Sequence, residues 1–290
     1  MDWDSEVDVV CTSTGVAGLA KAISVVDCGG EVFVASRGAD AATVDGHASV
    51  TWEAARAHPR LSEIVSDVET IEYFAALSCD LDDRCRLDRD VVLPIRVARE
   101  RASFGHGGAI PPFVGSRLRA WAADCLASPS GYLYTRISGW ESATLESWDG
   151  DSIEVAEIGS MTPRRNDVGG SVYEWLTWEA RHRHIEPHPN CSLQRLVFVD
   201  GDPVGAVFMT SSGPLAIRAR YGLLIATGDT QIAASARQQL MGGNINLRVA
   251  LVGHTTSRFG RLELLTSGPI ADRAPSARRR QGLPLNVAEM

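Results

Sequence analysis

Val7-Asp8-Val9-Val10-Cys11 opens the chain as a short apolar run rich in β-branched residues, and Ser13 to Gly18 follows as a turn of small residues. Leu19 to Val26 is apolar and continues as a helix, which Gly29-Gly30 stops. Val32 to Ala35 is a second candidate for a buried strand. Strand, glycine turn, helix and strand within so short a span predict one βαβ unit with parallel strands.

The middle of the chain is less regular. Residues 38–51 are small and polar and read as a loop, and 52–85 reads mostly as helix. Ser66 is placed to cap a segment whose apolar positions Val68, Ile71, Phe74, Ala75 and Leu77 recur at helical spacing. Val91 to Ile95 predicts a short strand. Phe104 to Val114, with three Gly and two Pro, predicts a loop. Ser116 to Leu126 reads as helix and Tyr132 to Ile137 as strand. Residues 141–160 alternate weakly, and 161–170 is a polar break. The last third is clearer. Val172 to Arg183 reads as helix, and Leu193–Val199, Gly205–Thr210 and Leu215–Arg220 as three strands. Asp200-Gly201-Asp202 is a strong hairpin turn. Tyr221 to Ala226 reads as one more strand, and Arg248–Val252 with Arg261–Leu265 as a final hairpin.

Composition narrows the class. The 290 residues carry 28 Lys+Arg against 36 Asp+Glu, a net charge of −8, with 44% hydrophobic residues. That is the balance of a folded globular protein, and its acidity argues against nucleic acid as a partner. One of the 28 basic residues is a lysine, Lys21, and the other 27 are arginine, a skew that reads as a composition bias rather than a phosphate-binding surface. No apolar run reaches the length of a membrane span. The acidic start, Met1 to Glu6, predicts no secretory leader, and the six scattered cysteines predict free thiols; both point to the cytoplasm. His182, His184 and His188 cluster, but Pro187 and Pro189 break any helix that would put them on one face, so no metal is expected.

The turn after the first strand carries the candidate chemistry. In the phosphate-binding βαβ fingerprint glycines stand at positions 1, 3 and 6, and here those positions are Ser13, Gly15 and Gly18, with Val16 and Ala17 between. The helix start then faces an anion. The place of the carboxylate that usually binds ribose at the end of the second strand is taken by Ser36, followed by Arg37. Arg37 can meet a phosphate, and Ser36 can offer a hydroxyl to a ribose. Tyr132, Tyr134 and Arg136 alternate along a strand and so share one face, but their pattern assigns no catalytic residue.

With the Asp-Gly hairpin, three short strands and an apolar strand ending Leu224-Ile225-Ala226-Thr227-Gly228, the chain resembles the flavoproteins of the fumarate reductase and 3-ketosteroid dehydrogenase superfamily. The resemblance covers residues 1–37 and 171–229. It lacks the family's second glycine-rich loop after residue 37, and only Met241-Gly242-Gly243-Asn244 stands near the place of its carboxy-terminal one. It implies an α/β fold, a FAD-type Rossmann-like βαβ sheet with a three-stranded meander and a small inserted α+β domain. Residues 1–50 and 171–250 would form the cofactor domain, 51–170 the inserted cap, and 251–290 a hairpin and extended tail. It also implies FAD over Ser13, Gly15, Val16, Ala17 and Gly18, with adenine at the backbone of Leu193 and the turn Ala226, Thr227 and Gly228 against the cofactor. The activity implied is that of a short oxidoreductase acting on a small or steroid-like organic substrate. The alternative is a relative that has lost FAD and serves as a binding or structural subunit. Seven tryptophans and the tail from Pro269 to Met290 predict a homo-oligomer or a complex with a related flavoprotein.

Overall fold

A computed structural model of the chain describes residues 2–37, 61, 65–79, 81, 93–100, 115–136, 142–147, 152–226 and 245–267. The fold is α/β, a large mixed sheet with helices on both faces. It starts as the sequence predicts. Strand β1 (Ser5–Cys11) and strand β2 (Val32–Val34) are parallel, with Val9 opposite Val32 and Cys11 opposite Val34. Helix α1 (Val16–Asp27) connects them. Val9, Val10 and Cys11 are fully buried, because a parallel strand in the middle of a sheet is covered on both faces. The helix ends where predicted. Gly29 takes φ +77°, its N–H reaches the Val26 carbonyl, and the Gly30 N–H reaches that of Val25. These two bonds satisfy carbonyls that the helix end would leave open.

The meander follows the predicted order: β7 (Ser192–Val199), β8 (Asp202–Thr210) and β9 (Gly213–Ala226), each antiparallel to the last. Asp200 and Gly201 both have positive φ, 52° and 84°, as a two-residue hairpin turn of matching twist requires. The expected break between Arg220 and Tyr221 is absent, and β9 runs as one strand of 14 residues. Gly222 keeps it continuous. It takes φ +135°, and a Cβ there would meet the Tyr134 ring at 3.1 Å. The first half of β9 pairs with β8, the second with β4 (Gly131–Tyr134), and β1 runs parallel along nearly its whole length.

Other boundaries also shift. Asp67, not Ser66, caps α2 (Val68–Ser78), accepting from the Thr70 N–H at 3.0 Å. Helix α4 (Val168–His182) begins inside the expected polar break, because the Asp167 carboxylate accepts from the Gly170 N–H. The strand expected at 91–95 lies at β3 (Ile95–Glu100), and the weak alternation of 141–160 resolves into β5 (Ala143–Ser147) and β6 (Ser152–Met161). Helix α3 (Gly115–Ala127) precedes β4.

The final hairpin forms as predicted from β10 (Leu247–Gly253) and β11 (Phe259–Thr266). Its partners close a ring: β10 pairs with β6, β6 with β5, β5 with β3, β3 with β11, and β11 with β10. β11 joins this ring to the rest of the sheet through β4. Among the described residues the core forms two clusters, one on each face. Ile23, Leu176 and Leu224 belong to the cluster that holds α1 and α4. Phe74, Leu126 and Phe208 belong to the cluster that holds α2 and α3. Within the ring Glu263 is fully buried. Arg96 grips it through Nε at 2.5 Å and Nη2 at 2.9 Å, and Arg261 Nε donates to it at 2.7 Å. Burial pushes the Glu263 carboxyl up, but the two guanidiniums outweigh it and hold it below the usual carboxylate range. No helix among the described residues is long and apolar enough to cross a membrane.

Candidate functional site

Parallel pairing of β2, β1 and β9 brings their carboxyl ends out along one edge. This is where open α/β sheets leave a crevice. Ser13 to Gly15 form the turn, and α1 starts directly behind it. Gly15 occupies the cap position with φ −64° and ψ 170°, and among the described residues no side chain caps the helix. The first turn carries no acidic residue. Its backbone N–H groups are therefore presented at the edge with the positive end of the helix dipole behind them. Gly18 has a packing reason to be glycine, since a Cβ there would overlap the Ser13 carbonyl oxygen. Ser13, at the first fingerprint position, accepts from the Gly15 N–H through Oγ at 3.2 Å. It thus occupies one donor that a glycine would leave open.

Ser36 and Arg37 follow β2 at the same edge. Ser36 is half-buried, and both its backbone groups are engaged: its N–H with the His188 carbonyl at 2.9 Å, its carbonyl with the Cys191 N–H at 3.0 Å. Arg37 is exposed. Ala226 ends β9 with its N–H on Thr12 Oγ1 at 3.4 Å. Leu193 is buried at the start of β7, two residues past the Cys191 bond to Ser36. Ser13, Gly15, Val16, Ala17, Gly18, Ser36, Arg37 and Ala226 therefore share one edge, with the Leu193 strand beginning beside it. Thr227 and Gly228 lie outside the described residues, as do residues 38–50 and 241–244. Sequence reasoning weighed His188 only as one of a histidine cluster and missed its place beside β2, where it stacks on Phe33 at 4.4 Å and bridges to Ala35 as an extra rung. The signal was obscured because His188 sits between two prolines.

One helical turn beyond Gly18, Lys21 is 6% exposed on the side of α1 that faces the sheet. Its Nζ lies 4.8 Å from the centroid of the Tyr134 ring. Burial lowers its pKa to about 7, against a smaller opposing effect of Cys11 and Cys28. Burial likewise pushes the Cys11 thiol up to about 12, so it stays protonated at neutral pH. Lys21 borders a cavity of about 50 Å³ also lined by Tyr132, Tyr134, Arg136, Glu154 and Gly253. The tyrosine–arginine alternation read from the sequence does face one space. Lys21 itself stood out in the sequence only as the single lysine.

No protein-family model matches the chain, and no curated protein matches it. Among solved structures it is similar to a 3-ketosteroid-Δ4-(5α)-dehydrogenase from Rhodococcus jostii RHA1 in complex with 4-androstene-3,17-dione. The identity is 18%, the TM-score 0.31, and the likeness covers 77% of this chain and 46% of that one. It is similar to a flavocytochrome c3 fumarate reductase at 16% identity and TM-score 0.30, over 75% of this chain and 33% of that one. It is also similar to AlpK at 15% identity and TM-score 0.27, over 77% of this chain and 31% of that one. The chain thus spans less than half the length of each.

Proposed function

We propose that the edge formed by β2, β1 and β9 binds the diphosphate of FAD and that the protein is a short flavoprotein oxidoreductase. The observation that carries this reading is the uncapped start of α1, aimed out of a parallel βαβ unit at the end of the sheet. The donor set suits the anionic middle of the cofactor. The N–H groups of Val16, Ala17 and Gly18 would meet the diphosphate, the exposed Arg37 adds positive charge beside it, and the backbone at Leu193 would meet adenine. Thr227 and Gly228, after Ala226, would lie against the cofactor as the family resemblance implies. Bound FAD would supply hydride transfer, and the chain's own residues would hold it and exclude water. Its substrate would be a small or steroid-like organic molecule bound by residues 100–140. The seven tryptophans and the tail from Pro269 to Met290 favour a homo-oligomer or a complex with a related flavoprotein, and light scattering of the full chain tests it.

A second reading has its own observations. Ser13 Oγ already takes the Gly15 N–H, and no carboxylate stands at Ser36 for a ribose. These favour a chain that has lost FAD and serves as a binding or structural subunit. Titration calorimetry with FAD, together with the visible spectrum of the purified protein, separates the two. Binding that Ala17→Asp abolishes supports the first reading, because the new carboxylate would stand against the diphosphate. A colourless protein that takes up no FAD supports the second.

A further inference from the structure

We infer that the cleft between α1 and β4 is a second ligand site, in which Lys21 Nζ condenses with the carbonyl of a small 2-oxo acid to form an imine. It lies apart from the edge at Ser13–Gly18 and does not depend on the flavin reading.

Four observations carry it. Lys21 is buried on the inner side of α1 and lines the cleft. The cleft has room beside it: a Cβ built on Gly253 meets nothing within 4 Å. That room is shaped by the sheet. Register aligns Tyr132 with Gly260, Gly260 with Gly253, and Gly253 with Glu154. A Cβ on Gly260 would run into Tyr132 Oη, so the tyrosine lies across one glycine and leaves the next open. Third, the walls suit the chemistry. The Tyr134 ring stands 4.8 Å from Nζ and favours a cationic nitrogen there, in the lysine or in the protonated imine. Tyr134 itself is fixed, its hydroxyl donating to the Tyr221 carbonyl at 3.0 Å. Fourth, Arg136 is exposed at the rim, where a guanidinium can hold a carboxylate in a fork. The volume of about 50 Å³ limits the enclosed part of the ligand to a few heavy atoms.

The step balances without an oxidant or a metal. Nζ, about half neutral at pH 7 and mostly neutral by pH 8, adds its lone pair to the carbonyl carbon. The C–O π pair moves to oxygen, which takes a proton from Tyr132, whose phenol burial keeps protonated. The oxygen takes a second proton from solvent and leaves as water, while nitrogen loses its two. Tyr132 recovers its proton, and amine plus ketone become imine plus water.

The single lysine makes the test direct. The full-length protein at about pH 8 is treated with pyruvate and cyanoborohydride, and the reduced adduct is mapped by mass spectrometry. The α-amine of Met1 is the internal reference, and the urea-unfolded chain is the control. Lys21 should be trapped at least about tenfold faster in the folded chain than in the unfolded one, where its amine regains an ordinary pKa. Labelling of the α-amine alone, or of Lys21 no faster folded than unfolded, overturns the site. Arg136→Gln should slow trapping of pyruvate several-fold and leave that of acetaldehyde, which has no carboxylate, unchanged. Equal effects on both, or none, overturn the 2-oxo acid assignment. None of these readouts involves FAD, so failure of the flavin reading leaves them standing.

Discussion

The two halves of the sheet solve the problem of a covered interior in opposite ways. In the half built from β2, β1 and β9 the covered positions are apolar but for Lys21 on α1, and close backbone packing seats the helix, with Gly18 against the Ser13 carbonyl. Polar capacity is left at the edge, as backbone donors, and at Lys21. In the half that closes into a ring, charges are taken inside and matched: Glu263 between Arg96 and Arg261, with Arg96 also donating to Ser147 Oγ at 3.1 Å and both guanidiniums near the Trp121 ring. The first half leaves donors for a ligand. The second spends Glu263, Arg96 and Arg261 on one another, which makes that cluster scaffold rather than site.

The sharpest way to break this contrast is to remove the carboxylate. Glu263→Ala leaves the buried Arg261 and the half-buried Arg96 guanidiniums without their carboxylate and should cost about 3 kcal/mol of stability, read by urea denaturation. Replacing all three charges with apolar residues of similar size should cost far less, because no buried charge is then unpaired. If the single and triple variants lose the same stability, the ionic cluster is not what the ring depends on. The matching test in the parallel half is Gly18→Ala. The added methyl must push α1 off the turn, and a loss of about 1–3 kcal/mol is expected in the same assay. A neutral result would show that the helix can slide, and that the turn is not a fixed anion cradle.

Much of the first half was legible and little of the second. Strand, turn, helix and strand from Val7 to Ala35 are adjacent in sequence, and Gly29 and Asp200-Gly201 are glycine turns whose geometry follows from local chemistry. β9 was split in the reading because Arg220 and Tyr221 are exposed where the strand changes neighbours, and an interruption in burial looks like an end. The ring depends on pairing β3 with β11, some 170 residues apart, which no local pattern encodes. The alternation Arg261, Glu263, Leu265 even points the wrong way, since charges on a hairpin normally face solvent and these face the core. At the site, the donors at Gly15 to Gly18 were readable from spacing. The cleft was not, because Lys21, Tyr132 and Gly253 are joined only by the fold.

A smaller effect comes from Lys21. Its folded pKa of about 7 lies below the ordinary 10.5, so between these values the unfolded chain binds more protons than the native one. Stability should therefore rise with pH above 7, by at most about 1.4 kcal/mol per pH unit. Cys11 opposes this only above its ordinary value of 9.0, since its folded thiol holds its proton to about 12. The rise should show in thermal melts between pH 7 and 9 and flatten in Lys21→Met. A profile the same in both proteins would place the titration elsewhere.

The smallest expected effect bears on the edge itself. Ser13 Oγ holds the Gly15 N–H at 3.2 Å, a weak bond that occupies a donor pointing toward the site proposed for the diphosphate. Ser13→Gly removes that bond and frees the donor. The fold should lose no more than about 1 kcal/mol, the net worth of one such hydrogen bond. If the edge holds FAD, the freed N–H can meet a phosphate oxygen, and affinity measured by calorimetry should rise up to about tenfold, with ADP showing the same gain because it carries the same diphosphate. A loss of affinity instead would mean that the serine hydroxyl touches the ligand and that the chain uses its altered first position rather than tolerating it. No binding of either nucleotide before or after the change would leave the Ser13 bond as the final state of these donors. The two halves of the sheet would then be alike, each closed on its own polar groups, and the subunit reading would follow.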